Sequence, residues 1–165
     1  MKGIFLLLGT NLGDRLANLN QAKLLLESYP VLIVDYSKIY ESAPWGDTDQ
    51  GSFLNMILRV DTILDPHQLL EVCLEIEKRM GRERIKKWGE RIIDIDILYY
   101  DNHVINDETL IIPHPGIQMR RFTLMPMVEI APNEAHPLLG YTQLELLELC
   151  PDLLECSSTE MELEL

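Results

Sequence analysis

The chain has 165 residues, 47% of them apolar, which suffices for one hydrophobic core but is too short for two domains of ordinary size. Its formal charge of −13 argues against nucleic acid or an anionic membrane as the main partner, because a polyanion would be repelled. Three cysteines without a CxxC spacing indicate neither a disulfide framework nor a zinc site, and neither a signal peptide nor an apolar span of roughly 20 residues is evident, so we expect a soluble cytoplasmic protein.

The first part of the chain predicts three strands and two helices. Apolar runs bounded by turn residues indicate the strands, and Asp14 and Asp65 are the candidate N-caps of the helices. In chain order the predicted elements are a strand at residues 4–8, a helix from Asp14 to Pro30, one long strand at 31–43, a strand at 53–63 and a helix from Asp65 to Gly81.

A fourth strand at residues 92–100 completes the order β-α-β-β-α-β, which is that of the ferredoxin-like arrangement. We therefore predict an α+β fold with an antiparallel sheet, in a single domain that spans residues 1–165. Beyond this core we expect a short strand near Val104, a helical turn at 122–129, a helix capped by Thr142, and an acidic end that frays from about residue 157.

Basic residues concentrate in one window of an otherwise acidic chain. Residues 78–91 hold seven of the 14 Lys and Arg, and Arg120 and Arg121 form a second group. Such a window suits a nucleotide triphosphate, with Arg82 and Arg91 as candidates for bidentate phosphate contacts. A solvated charge run at the end of a helix is the alternative.

Asp94 and Asp96 alternate with isoleucines on the predicted fourth strand. Residues two apart on a strand share a face, so the two carboxylates would lie roughly 6–7 Å apart. Oxygen ligands without nearby Cys or His suit Mg²⁺, which is usually held by one or two carboxylates together with substrate phosphates. Asp is depleted in strands, which favours a metal site over the alternative of polar residues that simply face outward.

Two further segments offer walls for a site. His114 is held between two prolines and is followed by Arg120 and Phe122, which indicates a site wall as readily as a structural histidine. Asn55 is placed to read the edge of a flat heterocycle stacked between Phe53 and Phe122, although two Phe side chains in an apolar core more often serve packing.

These motifs resemble, in order and spacing, those of the 6-hydroxymethyl-7,8-dihydropterin pyrophosphokinase family, from about residue 2 to about residue 150. The most specific motif is Gly89-Glu90-Arg91-x-x-Asp94-x-Asp96. The others are Gly9-Thr10-Asn11-Leu12-Gly13, Phe53-Leu54-Asn55, Glu77, Gly81-Arg82, Pro113-His114-Pro115 and Arg120-Arg121-Phe122.

The resemblance implies a three-layer α-β-α domain on a ferredoxin-like core. It also implies an enzyme that moves diphosphate from ATP to the pterin hydroxymethyl oxygen in folate synthesis, with two Mg²⁺ ions at Asp94 and Asp96. The catalytic residues implied by the resemblance are Arg82, Arg91, Asp94 and Asp96, and the ATP-binding ones are Glu77, Arg82, Arg91, Ile97, His114 and Arg120. The pterin-binding residues it implies are Gly9, Ser42, Ala43, Pro44, Trp45, Phe53, Asn55 and Phe122.

Two other functions fit the same residues less fully. One is a non-catalytic ferredoxin-like module that binds a nucleotide or another small molecule, and the other is a phosphotransferase with a different alcohol acceptor. The expected partners are ATP and the pterin, without nucleic acid or membrane, and the expected state is a monomer or a weak homodimer.

Overall fold

The structure is a computed structural model that describes residues 1–44, 49–81 and 92–164. Trp45 and most of the basic window, residues 82–91 with Arg82 and Arg91, lie outside the described residues. The elements are β1 (Ile4–Thr10), α1 (Arg15–Glu27), β2 (Val31–Tyr36), β3 (Tyr40–Ser42), β4 (Phe53–Thr62), α2 (Pro66–Arg79), β5 (Asp94–Tyr100), β6 (Ile105–Asn106), β7 (Ile111–Ile112), a 3₁₀ turn (Ile117–Met119), α3 (Arg121–Ile130), α4 (Gln143–Leu149) and β8 (Cys156–Ser158).

The main sheet is antiparallel and has β1 near its centre. Its strands run in the order β5, β1, β4, β3 and β8, and β2 pairs with β4 alongside β3. Strands β6 and β7 form a separate small hairpin. With β2 and β3 counted as one broken strand, the order matches the ferredoxin-like arrangement, and the predicted βαββαβ core is confirmed.

The helix starts follow their sequence cues. The Asp14 carboxylate accepts from the Ala17 backbone N–H, and Asp65 forms a reciprocal capping box with Gln68. Thr142 likewise forms the predicted capping box at the start of α4. Each cap satisfies backbone donors that the first helical turn leaves without a partner. None of the helices in the described ranges is long and apolar enough to cross a bilayer.

Helices cover both faces of the sheet. On one face, α1 and α2 bury a core that includes Leu6, Leu8 and Leu19. On the other face, α3 and α4 bury a second core that includes Phe5, Leu7 and Leu124. Alternate residues of β1 therefore enter opposite cores, as the period of a strand requires, and the three-layer prediction is confirmed.

The single long strand predicted at residues 31–43 is wrong, because the chain forms β2 and β3 with a break at 37–39. The buried Ser37 causes the break. Its backbone N–H donates to the Ile57 carbonyl, whereas the Ile57 N–H donates to the Ser37 hydroxyl at 2.9 Å. A side-chain oxygen thus replaces a backbone carbonyl, and the regular ladder stops there.

The predicted fraying of the chain end from about residue 157 is also wrong for the described residues up to 164. Strand β8 pairs with the free edge of β3, and the Thr159 N–H donates to the Ile39 carbonyl at 2.8 Å. Leu163 packs against the core on the α1 and α2 face. Backbone pairing and this apolar contact hold an end that its acidic composition alone would leave loose.

Candidate active site

The candidate site begins where β1 ends. Gly9 pairs with Asn55 of β4 on one side and with Asp94 of β5 on the other. A Cβ atom at Gly9 would lie 3.3 Å from Asn55 Oδ1 and 3.8 Å from a ring carbon of Phe53. The missing side chain therefore leaves room for Asn55 and Phe53 to lie over the central strand.

Asn55 is fixed by one buried hydrogen bond. Its Nδ2 donates to the Ser42 hydroxyl at 2.7 Å, and the two residues are only 3% and 4% exposed. Because the amide nitrogen is held by Ser42, the carbonyl oxygen Oδ1 is left toward Gly9. Ala43 and Pro44 follow β3 directly and are half-buried, so the predicted pterin-side residues Gly9, Ser42, Ala43, Pro44, Phe53 and Asn55 lie at one end of three adjacent strands.

Asp94 and Asp96 lie on the edge strand β5, beside the same end of β1. Ile95 and Ile97 alternate with them and are buried in the core on the α1 and α2 face. Strand alternation directs the two carboxylates to the other face, and the Asp96 side chain remains 39% exposed. Two partly exposed carboxylates side by side are a donor set that fits Mg²⁺.

A groove of about 350 Å³ runs along β5 and gathers most of the predicted ATP-side and metal-side residues that the structure describes, although Arg120 is not among its lining residues. Glu77, Asp94, Asp96, Ile97 and His114 all line it. Its lining also includes Leu70, Leu74, Asp107, Thr109 and Ile111, which the sequence did not single out. Leu70 and Leu74 lie on α2, Asp107 and Thr109 in the turn between β6 and β7, and Ile111 on β7, and none belongs to a motif, so no local pattern marked them.

Glu77 of α2 binds the backbone of the strand that carries the two aspartates. Glu77 is only 5% exposed, and its Oε2 accepts from the Ile95 N–H at 2.9 Å. Among the described strands β5 pairs with β1 alone, which leaves its other edge without a strand partner, and on that edge Glu77 supplies the acceptor for the Ile95 N–H. The glutamate thereby fixes the backbone between Asp94 and Asp96, and its predicted contact with ATP stays a prediction.

His114 faces Asp96 across the groove, with its Nε2 4.0 Å from Asp96 Oδ2. Its Nδ1 accepts from the Gly116 N–H at 3.0 Å, which assigns the ring proton to Nε2. Burial lowers the pKa of His114 to about 4, aided by the charge of Arg120 and opposed by that of Asp94. The imidazole is therefore neutral near pH 7 and presents an N–H toward the groove.

Arg120 and Phe122 lie together at the start of α3. The guanidinium carbon of Arg120 is 5.7 Å from the centre of the Phe122 ring, within the range of a cation–π contact. A Cβ atom at Gly116 would come within 2.8 Å of that carbon, so the glycine leaves space for the guanidinium. Phe122 also packs against the core on the α3 and α4 face.

The described site residues thus form two adjoining groups. One is the groove along β5, and the other is the end of the β3, β4 and β1 strands, with Gly9 between them. Arg120 and Phe122 approach from α3. Trp45, Arg82 and Arg91 lie outside the described residues, and their roles stay predictions.

Comparison with known proteins gives the same family along most of the chain. Residues 5–132 match the model of the 7,8-dihydro-6-hydroxymethylpterin-pyrophosphokinase (HPPK) family. The 2-amino-4-hydroxy-6-hydroxymethyldihydropteridine pyrophosphokinase of Methylorubrum extorquens is 47% identical over 134 residues, covering 81% of this chain and 85% of that protein. The protein of the same name from Aquifex aeolicus is 43% identical over 138 residues, covering 84% and 86%.

Among solved structures, the wild-type HPPK-DHPS of Plasmodium falciparum with pteroate superposes with a TM-score of 0.72 at 18% identity. The match covers 88% of this chain but only 44% of that one, and at this identity it concerns the fold alone. The family match and the two bacterial relatives, by contrast, rest on sequence over most of the chain. This chain therefore belongs to the 7,8-dihydro-6-hydroxymethylpterin-pyrophosphokinase family.

Proposed function

We propose that this chain transfers an intact diphosphate from ATP to the hydroxymethyl oxygen of 6-hydroxymethyl-7,8-dihydropterin, releasing AMP, as a step of folate biosynthesis. The observation that carries the proposal is the pairing of Gly9 with both Asn55 and Asp94. Neighbouring strands are about 4.8 Å apart, so a heterocycle read by Asn55 lies within about 10 Å of the metal carboxylates. The acceptor oxygen and the phosphates then meet over the end of β1.

On the pterin side, the buried Ser42–Asn55 hydrogen bond holds the amide in one orientation before substrate arrives. Such preorganisation gives an amide edge its selectivity for the matching edge of the heterocycle. Phe53 and Phe122 are proposed to stack on its two faces, because both are half-buried, with Phe53 at the start of β4 and Phe122 in the first turn of α3. Trp45 is proposed to complete this side.

On the phosphate side, Asp94 and Asp96 would hold two Mg²⁺ ions, and bound Mg²⁺ supplies charge neutralisation to the triphosphate. The neutral His114 offers its Nε2–H to a phosphate oxygen, and Arg120 adds a permanent positive charge. Glu77 holds the strand between the two aspartates through Ile95. Arg82 and Arg91 are proposed as further phosphate contacts, and the chemistry is one of positioning and electrostatics.

The partners in this proposal are ATP and the pterin alone, without nucleic acid or membrane. The cytoplasm is the proposed location, because both the free cysteines and the substrates suit a reducing compartment. A monomer or a weak homodimer is the proposed state in solution.

The deciding test is a turnover assay with purified protein, ATP, Mg²⁺ and 6-hydroxymethyl-7,8-dihydropterin, with nucleotide products separated by chromatography. We expect AMP to form in equal amount with the pterin diphosphate and to depend on both the pterin and Mg²⁺. ADP as the product would show ordinary phosphoryl transfer instead. Nucleotide binding without any product would identify a non-catalytic module and overturn the proposal.

A further inference from the structure

The chain end returns to the candidate site after α4. Residues 150–164 lie beyond the family match at 5–132, so nothing in that match assigns them a role. Strand β8 lies within this segment and pairs with β3. The segment also contains Asp152, a carboxyl-bearing residue that is only 7% exposed.

Asp152 caps helix α3 from a distance of 31 residues along the chain. Its Oδ2 accepts from the Arg121 N–H at 3.0 Å, and its Oδ1 accepts from the Leu154 N–H at 2.9 Å. Arg120, at the N-cap position, makes no side-chain cap of its own. The carboxylate therefore satisfies a donor that α3 itself leaves open, at the helix end where negative charge is favoured.

The capped amide lies between two candidate site residues. Arg120 precedes Arg121 and Phe122 follows it, and the Arg120 guanidinium lies over the Phe122 ring. Fixing the Arg121 N–H fixes the first turn of the helix, and with it the direction in which Phe122 leaves the backbone. Asp152 thus acts on the wall of the site that α3 contributes.

The same segment holds the opposite wall. Ser42 pairs with Cys156 of β8, and the Ala43 N–H donates to the Glu155 carbonyl at 3.0 Å. Glu155 lies only three positions after Asp152, so one short stretch is bonded both to α3 and to the strand that carries Ser42. It links the two sides between which the heterocycle is proposed to lie.

We propose that Asp152 is a positioning residue for the pterin site. It fixes the orientation of Phe122 relative to Ser42 and Phe53 on the neighbouring strands. This role rests on the proposed function. It differs from a general contribution to folding, because we expect removal of the carboxylate to release the first turn of α3 while the pairing of β8 with β3 and the two cores stay in place.

The test compares pterin KM and kcat for Asp152→Ala, Asp152→Asn and the wild type, with Glu148→Gln as the control for charge removal at an exposed position of α4. We expect Asp152→Ala to raise the pterin KM at least about fivefold, in the range of a lost helix cap or charged hydrogen bond, with kcat changed less than about twofold. Asp152→Asn keeps an oxygen for the Arg121 N–H, so its pterin KM should lie between those of the wild type and Asp152→Ala, with a rise of at least about twofold. Glu148→Gln should match the wild type.

A double-mutant cycle with Phe122→Leu separates positioning from a general structural effect. If Asp152 acts through Phe122, Asp152→Ala in the Phe122→Leu background should raise the pterin KM less than about twofold further. Equal effects in both backgrounds would overturn the role. Should Asp152→Ala fail to fold, Asp152→Asn is carried through the same cycle, and failure of both variants to fold would show a structural residue and overturn it as well.

The same assay distinguishes this role from the proposed function. A wild-type protein that forms no AMP overturns both. A wild-type protein that forms AMP, together with an unchanged pterin KM in both Asp152 variants, overturns only the role of Asp152.

Discussion

Asp94 and Asp96 share one face of β5 and remain partly exposed. A substitution at either position should therefore change the chemistry without a large effect on the stability of the fold. Replacing either by Asn keeps its shape and removes its charge. We expect kcat to fall at least about a hundredfold, because the loss of a metal ligand removes several kcal/mol of charge stabilisation. The free energy of unfolding should not fall by more than about 0.5 kcal/mol, as is usual for accessible residues.

The measurement is AMP formation, with urea unfolding of the same preparations. Asp61→Asn is the matched control, since Asp61 is an exposed aspartate at the end of β4 opposite to Phe53 and Asn55. It should leave kcat unchanged. Normal turnover by Asp94→Asn or Asp96→Asn would refute the metal assignment.

His114 makes folding sensitive to acid, because burial lowers its folded-state pKa to about 4 from the ordinary value of 6.5. Between these two values the unfolded chain binds more protons than the folded one, so stability falls as the pH drops through that window. The contribution is on the order of 1–3 kcal/mol and is fully present above pH 6.5. At pH 7 the imidazole is already neutral.

This effect is measured by urea unfolding from pH 7 to pH 4.5 without nucleotide or metal, for the wild type and His114→Asn. The Asn side chain retains an acceptor for the Gly116 N–H but does not titrate. The wild type should therefore lose more stability than the variant as the pH falls. Parallel curves for the two proteins would show that His114 does not contribute.

Besides its apolar packing, helix α2 binds the backbone of the edge strand β5 through the Glu77 side chain, which gives a prediction about a pair of elements. Glu77→Ala leaves the Ile95 N–H without the acceptor that Glu77 provides, and Ile95 is only 4% exposed. An unsatisfied buried donor costs about 1–3 kcal/mol, and we expect a loss of that size in urea unfolding. The backbone between Asp94 and Asp96 should also loosen, which raises the KM for ATP.

Glu75→Ala is the matched control, because Glu75 lies on the same helix but is exposed. Both substitutions change helix propensity alike, so the difference between them reports on the buried contacts of Glu77, which include the bond to β5. Equal stability of the two variants would refute the structural role of Glu77.

Local cues predicted the elements that depend on local chemistry. The caps at Asp14, Asp65 and Thr142 mark helix starts because their hydrogen bonds reach only three residues along the chain. The break at Ser37 depends instead on Ile57, 20 residues away, and β8 depends on a free strand edge at β3. Neither partner is visible in a local pattern.

The candidate site likewise combines features that a local pattern predicts with features that depend on residues far along the chain. Asp94 and Asp96 were predicted from their spacing, and their neighbourhood in the structure follows from strand alternation. The resemblance to a known family supplied Glu77 but not its bond to Ile95, which joins residues 18 positions apart on two different elements. Asp152 bears no motif, since the helix it caps lies 31 residues earlier.

The sheet separates two cores, and only one of them supports the turn that carries Arg120 and Phe122. Leu19 of α1 and Leu124 of α3 are both fully buried, on opposite faces. Leu→Ala at either position creates a cavity that costs about 2–5 kcal/mol. The two variants should therefore lose similar stability, while their effects on the substrates should differ.

Leu124→Ala is expected to raise the pterin KM several-fold, because the cavity opens two residues from Phe122 in the same helix. Leu19→Ala should keep both KM values within about twofold of the wild type, since α1 contributes no residue to either group of the site. Urea unfolding and steady-state kinetics on the same samples measure the two quantities together. A parallel rise of the pterin KM in both variants would mean that general loosening, and not the α3 and α4 face alone, governs the pterin site.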